Sequence, residues 1–490
     1  MSDLSENAEN GSTQQLSEHH GKVIMLSVAA AVGGFLFGFD SSVINGAVDA
    51  VQNNFGLTSF VTGFVVAIAL LGCAAGAWYA GRWADRWGRT KVMLIGAILF
   101  FASSLGAGLA FSVWDLAFWR LVGGVGIGIA SVIAPAYIAE IAPAAMRGRL
   151  GSLQQMAITT GIFVALLSDA FWANTAGGAN EVILGMQAWR WMFLVGVIPS
   201  LVYGVLAVQI PESPRYLVAT GELKRAADVL KRFVGMSAPE RKIEEIQETL
   251  DREHAPSLRD LRGPAGKLLP IVWVGIALSA FQQLVGINVI FYYSTTLWQA
   301  VGFSESDSFV ISAITSVTNM AVTVVAIALV DRIGRRILLL CGSVGMFLAL
   351  GAMTLAFTQA VMTTASDGSQ APQLGSPWNA VALVGANLFV VSFGATWGPV
   401  VWVLLGEMFP NRIRGAALSV AAAAQWLTNF VVTTTFPPLS SLSLVLAYGL
   451  YTGFAFLSFF FVLWKVDETK GRELESMTGE VRSRHVAATG

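Results

Sequence analysis

Residues 60–91 read FVTGFVVAIALLGCAAGAWYAGRWADRWGRTK. Positions 60–81 hold no charged side chain, and Arg82, Asp85, Arg86, Arg89 and Lys91 then follow closely. A helix of that length crosses the ~30 Å hydrocarbon core of a bilayer. Only a helix, or a closed barrel, satisfies its own backbone N–H and C=O groups there. The step from no charge to many marks the point where the helix leaves the lipid.

The same unit recurs in both directions along the chain. Apolar stretches occupy 23–46, 60–81, 92–112, 115–138, 151–172, 188–209, 268–299, 308–330, 337–358, 378–403, 415–437 and 443–465. No Lys or Arg lies between Ser41 and Gly81, between Leu268 and Asp331, between Ile337 and Asn411, or between Gly415 and Trp464. Basic residues gather instead at Arg82–Lys91, Arg147–Arg149, Arg215–Lys267, Arg332–Arg336 and Arg412–Arg414, and after Lys465. Alternate loops are therefore expected in the cytoplasm, with both termini inside. The pattern predicts an all-α integral membrane protein of twelve transmembrane helices in two six-helix halves. It is expected as a multi-pass, monomeric protein of a bacterial plasma membrane.

Composition agrees. The length of 490 residues would suggest several soluble domains. However, apolar residues make up 55% of the chain, charged residues 12%, and mean hydropathy is +0.64. A net charge of −1 gives no case for nucleic acid, so the lipid bilayer is the expected partner of the basic clusters. Cys73 and Cys341 both lie in apolar stretches, and His19, His20, His254 and His485 lie in polar ones. Neither set has metal-ligand or disulfide spacing, so no metal, cofactor or enzymatic activity is expected. Residues 1–22 are polar and lack a cleavage pattern, which reads as a disordered cytoplasmic tail. The halves then cover 23–211 and 268–466, with a cytoplasmic helical linker at 212–267 and a tail at 467–490. Within the linker, Leu223, Ala226, Ala227 and Leu230, then Ile243, Ile246 and Leu250, recur at helical spacing.

The two halves echo each other. Asp85-Arg86-Trp87-Gly88-Arg89 follows the second stretch, and Asp331-Arg332-Ile333-Gly334-Arg335-Arg336 follows the eighth. Glu140 with Arg147-Gly148 follows the fourth, and Glu407 with Arg414-Gly415 follows the tenth. Pro211-Glu212-Ser213-Pro214-Arg215 ends the sixth, and Asp467-Glu468-Thr469-Lys470-Gly471 ends the twelfth. Such a repeat, with a site between parallel halves, is a transporter layout. Acid and Arg at these exits can pair and hold the inner ends of the halves together. Arg82, Arg89, Glu140, Arg147, Glu212, Arg335, Arg336, Glu407, Arg414 and Glu468 then form a cytoplasmic gate. Plain interfacial anchoring is the other reading.

These residues resemble the sugar porter family of the major facilitator superfamily. The resemblance runs from about Val23 to Glu475. It rests on Gly81-Arg82, the two Asp–Arg boxes, Arg147-Gly148, Pro211–Arg215, Gln282-Gln283-Leu284-Val285-Gly286-Ile287-Asn288, and Pro410-Asn411-Arg412-Ile413-Arg414-Gly415. Within the family the chain is similar to actinobacterial glucose permeases and bacterial xylose–proton symporters. One departure is Asp467, where the family usually has Pro.

A neutral sugar calls for amides, which donate and accept, and for an aromatic surface. The seventh stretch supplies Gln282, Gln283 and Asn288, and Gly286 permits a local break that points them into one cavity. Gln155, Asn319, Gln425 and Trp426 add to the set, and Trp397 lies beside Gly398-Pro399, another expected break. An amide in a membrane helix also serves interhelical hydrogen bonding. The resemblance implies sugar contact for Gln155, Gln282, Gln283, Asn288, Asn319, Trp397, Gln425 and Trp426, with Phe37 and Asn429 as secondary contacts. Tyr292 and Tyr293 read as a gate or packing face. Gly123, Gly124, Gly126 and Gly128 lie in an apolar helix without a preceding strand, and read as close helix packing.

Asp40 and Arg120 are isolated charges in the first and fourth stretches, and pairing is the usual resolution of that cost. Protonation of Asp40 would loosen the pair, which makes it a proton switch; a permanent ion pair is the alternative. The resemblance favours the switch, because proton-coupled sugar porters carry an acid at the Asp40 position. Arg190, between Trp189 and Trp191, is expected as an interfacial anchor. The expected function is proton-coupled symport of a monosaccharide, D-glucose. A passive hexose uniporter or a xylose–proton symporter is the alternative. A sugar sensor of the same fold would carry a long tail, and the tail after Glu475 is short.

Overall fold

The computed structural model describes the backbone of residues 2–143, 147–236, 238–252, 258–263, 266–364, 370–410 and 413–469. Side chains are described for these except 2–20, 147–149, 151–152, 251–252, 258, 327–331, 362–364 and 370–372. Among the described residues, twelve helices are long and apolar enough to cross a membrane. The chain divides into two compact units, Met1–His254 with Glu305–Ser316, and Ala255–Ser304 with Val317–Gly490. The linker therefore belongs to the first unit as far as His254, and the start of the eighth span belongs there too.

The first unit contains α1 (Ser2–Phe55), α2 (Ser59–Trp87), α3 (Arg89–Gly108), α4 (Val113–Ile141) and α5 (Arg147–Ala176). A hairpin of β1 (Val182–Ile183) and β2 (Met186–Gln187) leads to α6 (Ala188–Leu194) and α7 (Val197–Gln209). The expected disordered tail at 1–22 is instead helical backbone from Ser2 onward. No proline interrupts that segment, so nothing in its covalent geometry stops the helix. The α6–α7 break was not expected. Pro199 has no N–H to give Val195, so Ile198 donates there at 3.0 Å and Ser200 restarts the ladder on Gly196 at 3.2 Å.

Close backbone approach explains the glycine run of α4. A Cβ on Gly124 or Gly128 would run into the carbonyls of Ala69 and Cys73 on α2. Gly72 and Gly76 of α2 meet Leu121 and Val125 in the same way. Lipid supplies no hydrophobic drive between helices, so this contact depends on small residues. Outward-facing apolar side chains such as Phe111 and Val208 are exposed, as a lipid-facing surface requires.

The linker forms α8 (Pro214–Ala219), α9 (Leu223–Val229), a π-turn at Leu230–Val234 and α10 (Pro239–Arg252). Leu217, Val218, Ala226, Val229, Leu230 and Ile243 make a small core, with Ala227, Ile246 and Leu250 packed on it. Leu223, read as part of that face, is exposed. On the polar side of α10 the Lys242 ammonium donates to Glu245 at 2.8 Å and holds its carboxyl below the usual range.

The second unit opens with a 3-10 turn at Leu258–Leu261, then α11 (Pro270–Leu284), α12 (Ile287–Tyr292) and α13 (Ser294–Ala300). It continues with most of α14 (Glu305–Ile333), then α15 (Arg335–Phe357) and the hairpin β3 (Val361–Thr364) and β4 (Gln370–Gln373). It ends with α16 (Trp378–Gly394), α17 (Trp397–Met408), α18 (Arg414–Leu442) and α19 (Leu444–Lys465). Two of its spans are broken at membrane depth. Gly286 adopts φ +80, ψ 23 between α11 and α12, and Ala395-Thr396 interrupt α16 and α17.

Candidate functional site: an amide cluster, a buried ion pair and a repeated charge cluster

The break at Gly286 brings two amides together. Asn288 Nδ2 donates to Gln283 Oε1 at 2.6 Å, which leaves the Gln283 NH2 uncommitted among the described residues. Only a glycine takes this left-handed turn cheaply, and a Cβ there would also lie 2.7 Å from the Tyr451 ring. Gln282 Nε2 donates to the Trp397 and Gly398 carbonyls at 2.9 and 3.1 Å, at the second break. The buried Oε1 atoms of Gln282 and Gln425 have no partner among the described residues. Asn319 is half-buried, and a Cβ on Gly394 would approach its Oδ1 to 3.5 Å. Trp426 is half-buried, whereas Asn429 is buried and accepts from the Thr433 hydroxyl at 3.1 Å. Gln155 and Phe37 are half-buried in the first unit.

Trp397 departs from the expectation. Its indole is 0% exposed and donates to the Leu339 carbonyl at 3.0 Å and the Ser343 hydroxyl at 3.1 Å. The ring fastens the broken tenth span to α15 and offers no surface on which a sugar could stack. Tyr293 is likewise a packing residue: it is fully buried against Phe436 and donates to the Thr433 carbonyl at 2.9 Å.

In the first unit Asp40 and Arg120 meet. Arg120 Nη1 lies 3.4 Å from Asp40 Oδ2, with side chains only 3% and 9% exposed. The guanidinium also donates to the Asp40 carbonyl at 3.4 Å and the Val66 carbonyl at 3.2 Å. Neutralising Asp40 would therefore not strand the cation, since two carbonyl acceptors remain. Arg190 donates to the Gly108 and Ala110 carbonyls at 3.2 and 2.7 Å, at the end of α3, and stacks over Trp189. That is a cation on a helix C-terminus.

The repeated boxes form two matched clusters. Arg89 grips Glu140 with two N–H groups, Nε to Oε2 at 3.1 Å and Nη2 to Oε1 at 2.9 Å. Arg335 grips Glu407 in the same way, at 3.1 and 2.7 Å. Glu212 accepts the Arg89 and Thr90 backbone N–H groups at 2.9 and 3.2 Å. Glu468 accepts those of Arg335 and Arg336 at 2.9 and 3.0 Å. Each acid thus caps a helix N-terminus, where N–H groups lack partners and the dipole favours an anion. Gly88 (φ 96) and Gly334 (φ 106) make the turn that exposes these groups. Ser213 and Thr469 donate to Glu140 and Glu407 and close each cluster. These two hydroxyls escaped the sequence reading; the signal was a hydroxyl directly after the acid in both halves.

This corrects one expectation. Both Arg–Glu pairs and both caps join elements of a single unit, rather than one half to the other. Among the described residues, Arg82, Arg336 and Arg414 form no acid–Arg pair of this kind. Arg82 is exposed over the Trp78 ring, Arg336 donates to the Leu463 carbonyl at 2.9 Å, and Arg414 donates to the Phe409 carbonyl. The Arg147 side chain lies outside the described residues.

The profile of the family described as sugar (and other) transporter matches residues 26–480. The chain belongs to this family. It is 55% identical over 458 residues to a glucose transport protein of Synechocystis sp., covering 93% of this chain and 97% of that one. It is 35% identical over 497 residues to the D-xylose-proton symporter of Escherichia coli, covering 93% and 95%. Among solved structures it resembles the inward-open xylose transporter XylE from E. coli, with a TM-score of 0.79 at 34% identity. That match covers 93% of this chain and 99% of the other. The same symporter bound to 6-bromo-6-deoxy-D-glucose gives a TM-score of 0.74 at 33% identity, covering 94% and 99%. A sugar transporter built of twelve membrane-crossing helices is a multi-pass membrane protein.

Proposed function

We propose that the protein is a proton-coupled symporter of D-glucose in a bacterial cell membrane, working by alternating access as a monomer with both termini in the cytoplasm. The 55% identity to a glucose transport protein supports the sugar, and the 35% identity to a xylose–proton symporter supports the coupling. The observation that carries the mechanism is the enclosed Asp40–Arg120 pair, whose cation keeps carbonyl partners when the acid is neutralised. A proton on Asp40 then alters the contact between α1 and α4 without leaving an unsatisfied charge.

Sugar contact is assigned to Gln282, Gln283, Asn288, Asn319, Gln425 and Trp426 in the second unit. Gln155 carries the same role in the first, with Phe37 and Asn429 as secondary contacts. The pairing of Gln283 with Asn288 supports this, because it fixes the orientation of an amide whose NH2 is uncommitted among the described residues. Trp397 is reassigned to holding the broken span.

The test is uptake of a labelled sugar panel by proteoliposomes. D-glucose should accumulate when the lumen is alkaline, and a protonophore should abolish the accumulation. Uptake that reaches the same plateau with and without the gradient would make the protein a uniporter. Accumulation of D-xylose in preference to D-glucose would overturn the substrate assignment.

A further inference from the structure

Asp169 is a second acid at membrane depth, and neither the sugar site nor the Asp40 pair uses it. It sits on α5, seven residues before the helix ends at Ala176, and is 0% exposed. Its Oδ2 accepts the Gly46 backbone N–H of α1 at 3.2 Å. Its Oδ1 has no partner among the described residues. A Cβ on Gly46 would come within 2.6 Å of the Asp169 Cβ, so the glycine makes room for this side chain.

Among the described residues, the charged groups named on the elements packed against α5 are engaged elsewhere, half-buried or exposed. On α1, Asp40 takes Arg120 of α4, and Asp49 is half-buried beyond Gly46. On α4, Asp115 accepts the Phe111 N–H. On α6, Arg190 is held by the Gly108 and Ala110 carbonyls. Glu181, beside β1, is exposed. Asp169 makes no salt bridge among the described residues. An ionised carboxylate enclosed in this way, with a single N–H donor, is unfavourable. An asparagine would accept the Gly46 N–H equally well without that cost. An acid differs from the amide here in being able to exchange a proton.

Asp40 and Gly46 are six residues apart on α1, about 9 Å of helix rise. Resting on the symport reading, we propose that Asp169 is a second proton-carrying site, which takes protons from the Phe55–Ala176 end of the first unit and passes them to Asp40. The proton leaves the Asp169 hydroxyl and the bonding pair stays on the carboxylate. Water carries the proton to the Asp40 carboxylate, and the aqueous phase at the Phe55–Ala176 end reprotonates Asp169. One proton moves inward per cycle of this step.

The full chain, D40N and D169N are compared in proteoliposomes, with infrared detection of the carbonyl stretch of protonated carboxyl groups. D169N should keep gradient-free counterflow, while its gradient-driven accumulation falls about tenfold or more. Part of the protonated-carboxyl band should vanish with it. Driven accumulation equal to that of the unsubstituted chain overturns the proposal and leaves Asp169 a packing acid. If the unsubstituted chain itself fails to accumulate sugar, the symport reading fails and this inference falls with it. If it accumulates, D40N does not and D169N does, only this inference fails. Should D169N misfold, D40N still decides: its protonated-carboxyl band should persist and fade as the pH is raised, and no such band overturns the proposal.

Discussion

Gln283 faces a different fate from Trp397 when each is cut back, because one amide is uncommitted and the other side chain is fully used. Gln283→Ala removes a donor aimed at a ligand hydroxyl. It should weaken sugar binding by roughly tenfold to a hundredfold, about 1–3 kcal/mol, with folding retained. Calorimetry that finds unchanged affinity would make Gln283 a packing residue. Trp397→Phe removes the N–H bonded to Leu339 and Ser343 and should lower the thermal unfolding midpoint. Its effect on affinity should be smaller than that of Gln283→Ala. Asp40→Asn keeps the shape and the carbonyl contacts of Arg120 but cannot exchange a proton. Counterflow should survive and accumulation driven by a pH gradient should be lost; an Asp40→Asn protein that still concentrates sugar would identify the pair as purely structural. Residue types at this scale were legible from sequence, since amides and isolated charges stand out in apolar runs. The direction of each side chain was not, which is why Trp397 reads as a sugar platform in the sequence and packs against α15 in the fold.

Helix interruptions carry the site at the scale of elements. An unbroken helix would place Gln283 and Asn288 on separate faces, five residues apart. The left-handed turn at Gly286 instead closes a 2.6 Å bond between them. Gly286→Ala adds a Cβ both to a strained φ and against the Tyr451 ring. It should cost about 1–3 kcal/mol of stability and weaken sugar binding as the amides part. A thermal midpoint and affinity both equal to those of the unsubstituted chain would show that the turn is not needed. The breaks at Gly286 and before Trp397 were legible because Gly and Gly-Pro are local signals. The break at Val195-Gly196 was missed although Pro199 announces it, because the run 188–209 is apolar throughout and reads as one span.

For the whole molecule, twelve spans were evident in the apolar stretches and the distribution of Lys and Arg, and the internal repeat in the matched acid–Arg boxes. The partners of the repeated charges were not, since sequence gives the matched positions but not which acid meets which arginine. Arg335→Ala would leave Glu407 held only by Thr469 among the contacts described. The cluster is partly open to solvent, so the expected loss is modest, about 1–2 kcal/mol. Net transport should slow while sugar affinity changes little. Arg336→Ala should be milder, because its guanidinium meets a carbonyl and its backbone N–H survives the substitution. Thermal midpoints and uptake rates of the two variants check the order; an Arg336→Ala defect larger than that of Arg335→Ala would contradict the assignment.

The caps of Glu212 and Glu468 grip main-chain N–H groups, which every residue type except proline can supply. The backbone half of the second cluster is therefore indifferent to the side chain at position 336, whereas Thr90 adds its hydroxyl to Glu212 at 2.9 Å. In a lineage of such proteins, position 336 is more open to drift than position 90, so long as proline stays out. Gly88, Gly334, Glu212 and Glu468 are not open in this way. Heredity need guard a glycine, two acids, an arginine and the hydroxyls on those acids in each half to keep both clusters, and the rest of each box is left for other pressures to shape.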